Sequence, residues 1–466
     1  MSCRDPVSPT SEFRVHAAFA CNWDCELVLR NKIALLALTP ALVLGMTSVA
    51  VADSAAKQPE VTKVSTLPRI PLAQFSNGMI PGSVADDRGV HLGGIGSGLY
   101  PAGRPGEFWT ITDRGPNGQV KVGEEKRRTF PVPTFDPAIV RVKQNGDKLD
   151  VLRSIPIRNW DRKAVTGLSN QESRDEKPYD WSAKVPGTYN PEGLDAEDIV
   201  VAKDGSFWII EEYSPSIVHI APDGYVLGRY VPKGLNLKGA KYPVHEVLPG
   251  ALLSRKVNRG FEGLTISPDG RYLYAAMQSP LLLPDKKAGE ASRNTRILKF
   301  DLWEHRITGE YVYRFDDIKD FDPKGEQADM KISGLAMIDR NTLLVDERTD
   351  NLAKLYKIDL SKATNVLGKV DDPAAKPSLE QLDEKGLADK KITVTPKNLI
   401  VDLSKLKGVP GKIEGVAVLN DRTIAVINDN DFGMTDGAGA FDDKGRLKDS
   451  NVPTQLFEIK LPTSLR

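Results

Sequence analysis

The sequence predicts an all-β fold, a β-propeller of five to six four-stranded antiparallel blades with long loop insertions. Three observations predict it: a polar motif that recurs five times, a strong hairpin turn inside several copies, and a second strand pair after most of them. The copies are "GSGLYPAGRPGEFWTITDRG" (96–115), "PEGLDAEDIVVAKDGSFWIIEEY" (191–213), "FEGLTISPDGRYLYAAMQS" (261–279), "ISGLAMIDRNTLLVDER" (332–348) and "KIEGVAVLNDRTIAVINDND" (412–431). Each holds two short apolar runs about a turn, with Asp204-Gly205 and Asp269-Gly270 as typical hairpin dipeptides. The second pairs are "AIVRVKQNGDKLDVLRSIPI", "IVHIAPDGYVLGRYV", "RILKFDLWEHRITGEYVYRF", "KLYKIDL" and "QLFEIKL". A β-sandwich gives no reason for one polar motif to return at the same place in each unit. Five units are visible, and either a degenerate sixth or an N-terminal strand within about residues 62–92 closes the ring.

The N-terminus reads as a targeting segment. Arg30 and Lys32 precede the apolar run "IALLALTPALVLGMTSVAVA", which ends in a small-x-small signature at Ala50-Val51-Ala52. Residues 1–52 are therefore expected to be leader and signal peptide, cleaved after Ala52, and residues 53–466 a single domain, monomeric and periplasmic or secreted. Pro40, Thr39 and Ser48 weaken the run as a membrane anchor. All three cysteines, Cys3, Cys21 and Cys25, lie ahead of the cleavage point, so the exported chain relies on packing or metal rather than disulfides. Lys plus Arg and Asp plus Glu both total 63, which gives no support to nucleic-acid binding. The insertions 158–190 and 363–391 are long and polar; the first is a candidate lid, the second reads as solvated surface.

Antiparallel pairing brings the start of each first strand next to the end of the second, and a propeller gathers these ends around one channel. Asp113, Glu192, Asp195, Glu211, Glu262, Glu347, Glu414 and Asp429 are thereby candidates for one acidic cluster, with Asp431 beside it. Crowded carboxylates need a counter-charge. One solution is a hard cation, with Asp113, Glu192, Asp195, Glu347, Glu414, Asp429 and Asp431 as ligands and calcium the best match to an all-oxygen set. The other is bracing by Arg114, Arg259 and Arg348, each beside a motif acid position. Together the two would suit a phosphate ester, the arginines clamping phosphoryl oxygens and Glu211 or Glu262 serving as general base.

Other motifs fail. "DNDFGMTDG" has Met434 where a calcium loop needs glycine, and "GGIGSGL" lacks the first glycine of a nucleophile elbow, which leaves Ser97 a poor nucleophile. His91 reads as structural.

At "WTITDRGPNG", "NPEGLDAEDIV", "WIIEEYSPSI", "NRGFEGLTISPDG" and "IEGVAVLNDRTIAVINDND" the chain resembles the exported bacterial phytase-like domain family, described as having esterase-like activity of phytase. The resemblance runs from about residue 70 to the C-terminus. It implies a propeller and suggests phosphomonoester hydrolysis with calcium. Two alternatives stay open: a calcium-dependent propeller lactonase or carboxylesterase, and a non-catalytic exported binding propeller.

Overall fold

The computed structural model describes residues 57–466, and the predicted signal peptide lies outside them. Five antiparallel four-stranded units form five blades, and the units of blades 1 and 5 join through a parallel pairing of Thr66 with Lys148. Blade 1 comprises Gly98–Pro101, Glu107–Ile111, Ala138–Asn145 and Lys148–Pro156. Blade 2 comprises Ala196–Val201, Phe207–Glu211, Ser216–Ile220 and Val226–Pro232, with Val244–Leu248 added in parallel at its outer edge. Blade 3 is Phe261–Ile266, Tyr272–Met277, Asn294–Asp301 and Arg306–Arg314. Blade 4 is Lys331–Met337, Thr342–Arg348, Ala353–Asp359 and Lys397–Asp402. Blade 5 takes Ile413–Asn420, Thr423–Asn428 and Gln455–Lys460 from the end of the chain, and its outermost strand, Glu60–Thr66, from the beginning. Of the two ways to close the ring, the N-terminal strand is the one used, and there is no sixth blade among the described residues.

The recurring glycine has a packing cause. The first strands of adjacent blades run against each other around the axis. A Cβ on Gly334 would lie 2.4 Å from the Glu414 carbonyl oxygen, and one on Gly263 would lie 2.8 Å from Leu335 Cγ. A Cβ on Gly415 would lie 2.9 Å from Leu99 Cβ, and one on Gly98 would lie 2.8 Å from Asp198 Cα. Only glycine permits this approach without moving backbone. Apolar layers fill the spaces between blades: Trp208, Leu264 and Leu298 lie in the layer between blades 2 and 3, and Tyr313, Leu335 and Val345 in that between blades 3 and 4.

Two insertions differ in character. Residues 363–391 were expected to be solvated surface, yet Val366, Val370, Leu379, Leu382 and Leu387 form a small core against Val312 of blade 3. Asn294 pins this segment by donating from Nδ2 to the carbonyls of Leu379 (2.9 Å) and Leu382 (2.7 Å). Residues 158–190 pack beside the channel mouth with a three-stranded sheet, Gly118–Val122, Glu125–Thr129 and Pro178–Tyr179. Among the described residues no helix is long and apolar enough to cross a membrane.

Candidate functional site

Strand register shows which motif residues are equivalent. Gly98, Asp198, Gly263, Gly334 and Gly415 pair with Ile111, Ile210, Ala276, Asp346 and Ile427 at corresponding points of the five blades. The residues just before them are Ser97, Glu197, Glu262, Ser333 and Glu414. The residues that follow the second strands or end them are Asp113, Glu212, Gln278, Arg348 and Asp429. These two sets ring one end of the channel.

The ring opens into a cavity of about 900 Å³. Of the residues singled out from sequence, Asp113, Arg114, Asp195, Arg259, Glu262, Arg348, Glu414, Asp429 and Asp431 line it. Three lie elsewhere. Glu192 accepts hydrogen bonds from Asn159 Nδ2 (2.8 Å) and the Lys241 amide (2.6 Å), tying the 158–190 segment down. Glu211 is fully buried against Arg229 (2.9 Å) and accepts the amides of Tyr213 and Ser214; burial, opposed by Arg229, moves its carboxyl up to about 7. Glu347 points away from the channel, where Tyr313 Oη of blade 3 and Lys397 Nζ of blade 4 donate to it. Strand alternation explains this: Glu347 points one way and Arg348 the other.

Many lining residues were missed, among them Glu197, Glu212, Lys331, Asp350 and Lys412. Glu197 is the central one. Its oxygens and those of Asp195 and Glu212 come within 4.8 Å of one another, and so do those of Glu197, Glu262 and Glu414. The two buried triads share Glu197. The turn spacing could have found it, because Glu262 precedes Asp269-Gly270 by the same interval as Glu197 precedes Asp204-Gly205. The earlier Glu192-Gly193 is a decoy: a Cβ on Gly193 would lie 1.9 Å from the Leu168 carbonyl oxygen, so that glycine serves the 158–190 segment.

Arginine bracing and open carboxylates coexist. Arg114 pairs with Asp195 and with Glu212 (3.4 Å), and lies over the Tyr213 ring, 4.3 Å from its centroid. Arg348 pairs with Glu414 and donates to Ser333 Oγ (2.7 Å), with Glu262 at 3.9 Å and Asp350 at 3.4 Å. Lys412 pairs with Asp429 and Asp431. This does not satisfy the ring. Glu212 Oε1, Glu262 Oε2 and Gln278 Oε1 are buried without hydrogen-bond partners among the described residues. Burial, then Glu262, raises the Glu197 carboxyl well above its ordinary range; burial, then Glu414, brings Glu262 to about 8. Burial, then Asp429, raises the Asp113 carboxyl well above its ordinary range, while Asp429, with Lys412 opposing burial, reaches about 7. Such mutual repulsion between oxygen donors fits a hard divalent cation, which the orphaned oxygens would receive.

The blade 3 and blade 4 side of the mouth is cationic. Arg259 donates to Ser279 Oγ (3.1 Å) and forms no ion pair among the described residues. Burial and the neighbouring Arg348 lower its pKa; burial and Arg259 lower that of Lys256. Lys331 falls to about 8 through burial, Arg348 and Arg259, although it pairs with Asp350. These positive charges repel one another and favour an anion between them.

Residues 90–432 match a family profile described as "Phytase-like: Esterase-like activity of phytase". The chain belongs to that family. It is also 25% identical over 322 residues to an uncharacterized secreted protein of Arthroderma benhamiae, a match that covers 59% of this chain and 63% of that protein. Solved structures similar to this phytase-like chain include a calcium-binding protein, regucalcin, of Agrobacterium tumefaciens (11% identity, 82% and 93% of the two chains covered, TM-score 0.33). Another is PQQ-bound aldose sugar dehydrogenase of Streptomyces coelicolor (12% identity, 81% and 97% covered, TM-score 0.31). At these TM-scores the likenesses bear no weight for function.

Proposed function

We propose that this phytase-like protein is an exported phosphoester hydrolase working at the channel mouth. The supporting observation is that one cavity holds both a carboxylate ring with orphaned oxygens and a set of mutually repelling cations. Asp195, Glu197, Glu212 and Glu414 would hold the cation, calcium foremost. When bound, calcium supplies charge neutralisation at the phosphoryl group and acidifies a water.

The chain's own residues do the rest. Arg259 and Lys331, with Lys256 at the rim, bind the phosphoryl oxygens and orient the phosphorus toward the carboxylates. Arg114 and Arg348 hold the ring's geometry and present their remaining N–H groups to the same space. In the hydrolytic step a water oxygen bonds to phosphorus as the ester P–O bond breaks, and the alcohol leaves carrying a proton. Glu262, tuned near neutrality and unpartnered at Oε2, is placed to move that proton. Glu211 is committed to Arg229 and is not assigned the role.

Arginine and lysine rather than aromatic side chains face the carboxylate ring, which favours a phosphoester over a lactone or carboxylic ester. The apolar run ending at Ala52 and the secreted relative support export. The test is metal analysis of purified protein, with phosphate release measured from an aryl phosphate and from phytate, with calcium and after chelation. Calcium-dependent release is expected. Release that survives full chelation removes the metal; no release from either ester, with carboxylic esters cleaved instead, removes the phosphoester assignment.

A further inference from the structure

A second cavity of about 350 Å³ opens beside the first, and the two share Gln119, Met434 and Thr435 as walls. Its chemistry is different. The main cavity presents ionised side chains on nearly every side, whereas the annex sets Val120, Trp181, Met434 and Phe441 among the polar Gln119, Thr129 and Ser182 and the charged Lys184, Asp442 and Asp443. The Trp181 and Phe441 rings lie 5.9 Å apart at 60°. Trp181 is held in place: Arg88 lies over its ring at 5.3 Å, and a Cβ on Gly445 would come within 3.0 Å of it. The annex is built wholly from additions to the propeller, namely the Gly118–Val122 and Glu125–Thr129 strands, the 158–190 segment and the stretch after Asp431. Three consecutive residues with positive φ, Asp431 (50°), Phe432 (55°) and Gly433 (73°), turn that stretch so that Asp431 enters the main cavity and Met434 stands between the two.

We infer that the annex receives the alcohol portion of the substrate, and that this portion is apolar and contains an aromatic ring. The inference rests on the hydrolase reading for the phosphoryl half of the ligand. An inositol polyphosphate would place charged groups against Trp181 and Phe441, whose faces offer them no hydrogen bond. A flat apolar group gains both area removed from water and stacking. Trp181 and Phe441 are thus specificity residues and do not take part in bond breaking.

The test compares benzylphosphonate with methylphosphonate, neither of which has an ester bond to hydrolyse, by calorimetry in calcium. Benzylphosphonate is expected to bind about tenfold to a hundredfold more tightly. Trp181→Ala should remove most of that preference and leave methylphosphonate affinity unchanged, while Arg259→Gln should weaken both ligands alike. The comparison on the unaltered protein does not depend on how either variant folds. Equal affinities for the two phosphonates overturn the annex assignment, and aryl phosphate turnover would then still uphold the hydrolase reading. Failure of both phosphonates to bind, with no phosphate released from any ester, overturns both.

Discussion

Replacing Arg348 with methionine removes a central counter-charge of the carboxylate ring while keeping most of the side chain's apolar stem. Arg348 is 1% exposed, and its guanidinium serves Glu414, Glu262, Ser333 and Asp350. Breaking one partner of a buried ion pair costs about 3–5 kcal/mol, because the charge left behind stays desolvated. Unfolding entropy of about 2.1 cal/mol/K per residue over roughly 400 residues converts that to a fall in Tm of about 4–6 °C. The deficit must depend on pH. Glu262 already ionises only near 8 through burial and Glu414, and losing Arg348 raises it further. A carboxyl whose folded pKa lies above its unfolded one loses stability as pH rises between the two values. The part carried by Glu262 is therefore absent near pH 5, begins to appear near pH 8 and is complete above the variant's raised value. Added calcium should recover part of it at pH 8, since a divalent cation can replace the missing positive charge. Thermal unfolding followed by circular dichroism at pH 5 and pH 8, with chelator and then calcium, measures all of this. A Tm within 1 °C of the parent at pH 8 in chelator would refute the claim that Arg348 holds the ring together.

Glu197→Gln should abolish a calcium-induced rise in Tm, which at a hundredfold excess over Kd is about 2.7 kcal/mol, or roughly 3 °C, in the parent. Glu192→Gln should keep that rise; loss in both variants or in neither would sink the register assignment. Gly334→Ala should destabilise by about 1–3 kcal/mol or more, because its Cβ meets the Glu414 carbonyl oxygen at 2.4 Å. Gly78→Ala, in the helix Leu72–Met79 with nothing within 4 Å, should be neutral or stabilising; equal losses from the two would refute the close-approach argument. His219, stacked on Trp208 at 4.0 Å, is pushed down to about 4 by burial. Its contribution is present above the unfolded value of about 6.5 and is lost as pH falls toward 4, so His219→Gln should flatten that part of the stability profile.

The blades were legible because each hairpin carries its own alternation, and those of blades 2 and 3 the turn dipeptides Asp204-Gly205 and Asp269-Gly270, all local signals. Glu414 and Glu262 were legible for the same reason, standing directly before a glycine that the ring requires. Glu197 was hidden because blade 2 places Asp198 where the other blades have glycine, and its Oδ2 accepts the Leu264 amide (2.7 Å) across the blade boundary. Nothing in a single strand reports that contact. Glu347 and Glu211 were drawn into the cluster by proximity in sequence, but a one-residue step in a strand reverses the side chain's direction. Residues 363–391 looked solvated because their apolar side chains are dispersed among lysines and aspartates, and only blade 3 collects them into a core.

The pairing of Glu60–Thr66 with Gln455–Lys460 sets an order of events in the life of the chain. Blades 3 and 4 are contiguous in sequence and can assemble as they emerge, whereas blade 5 waits for residues from opposite ends of the domain. The acidic mouth, which needs Glu414 and Asp429 beside Asp113, is incomplete until then. Synthesis interrupted before residue 455 yields an arc with an exposed strand edge at each end rather than a smaller ring, prone to pair with other chains. Completion of the polypeptide is thus the moment at which the last strand edge is covered and the acidic mouth is assembled.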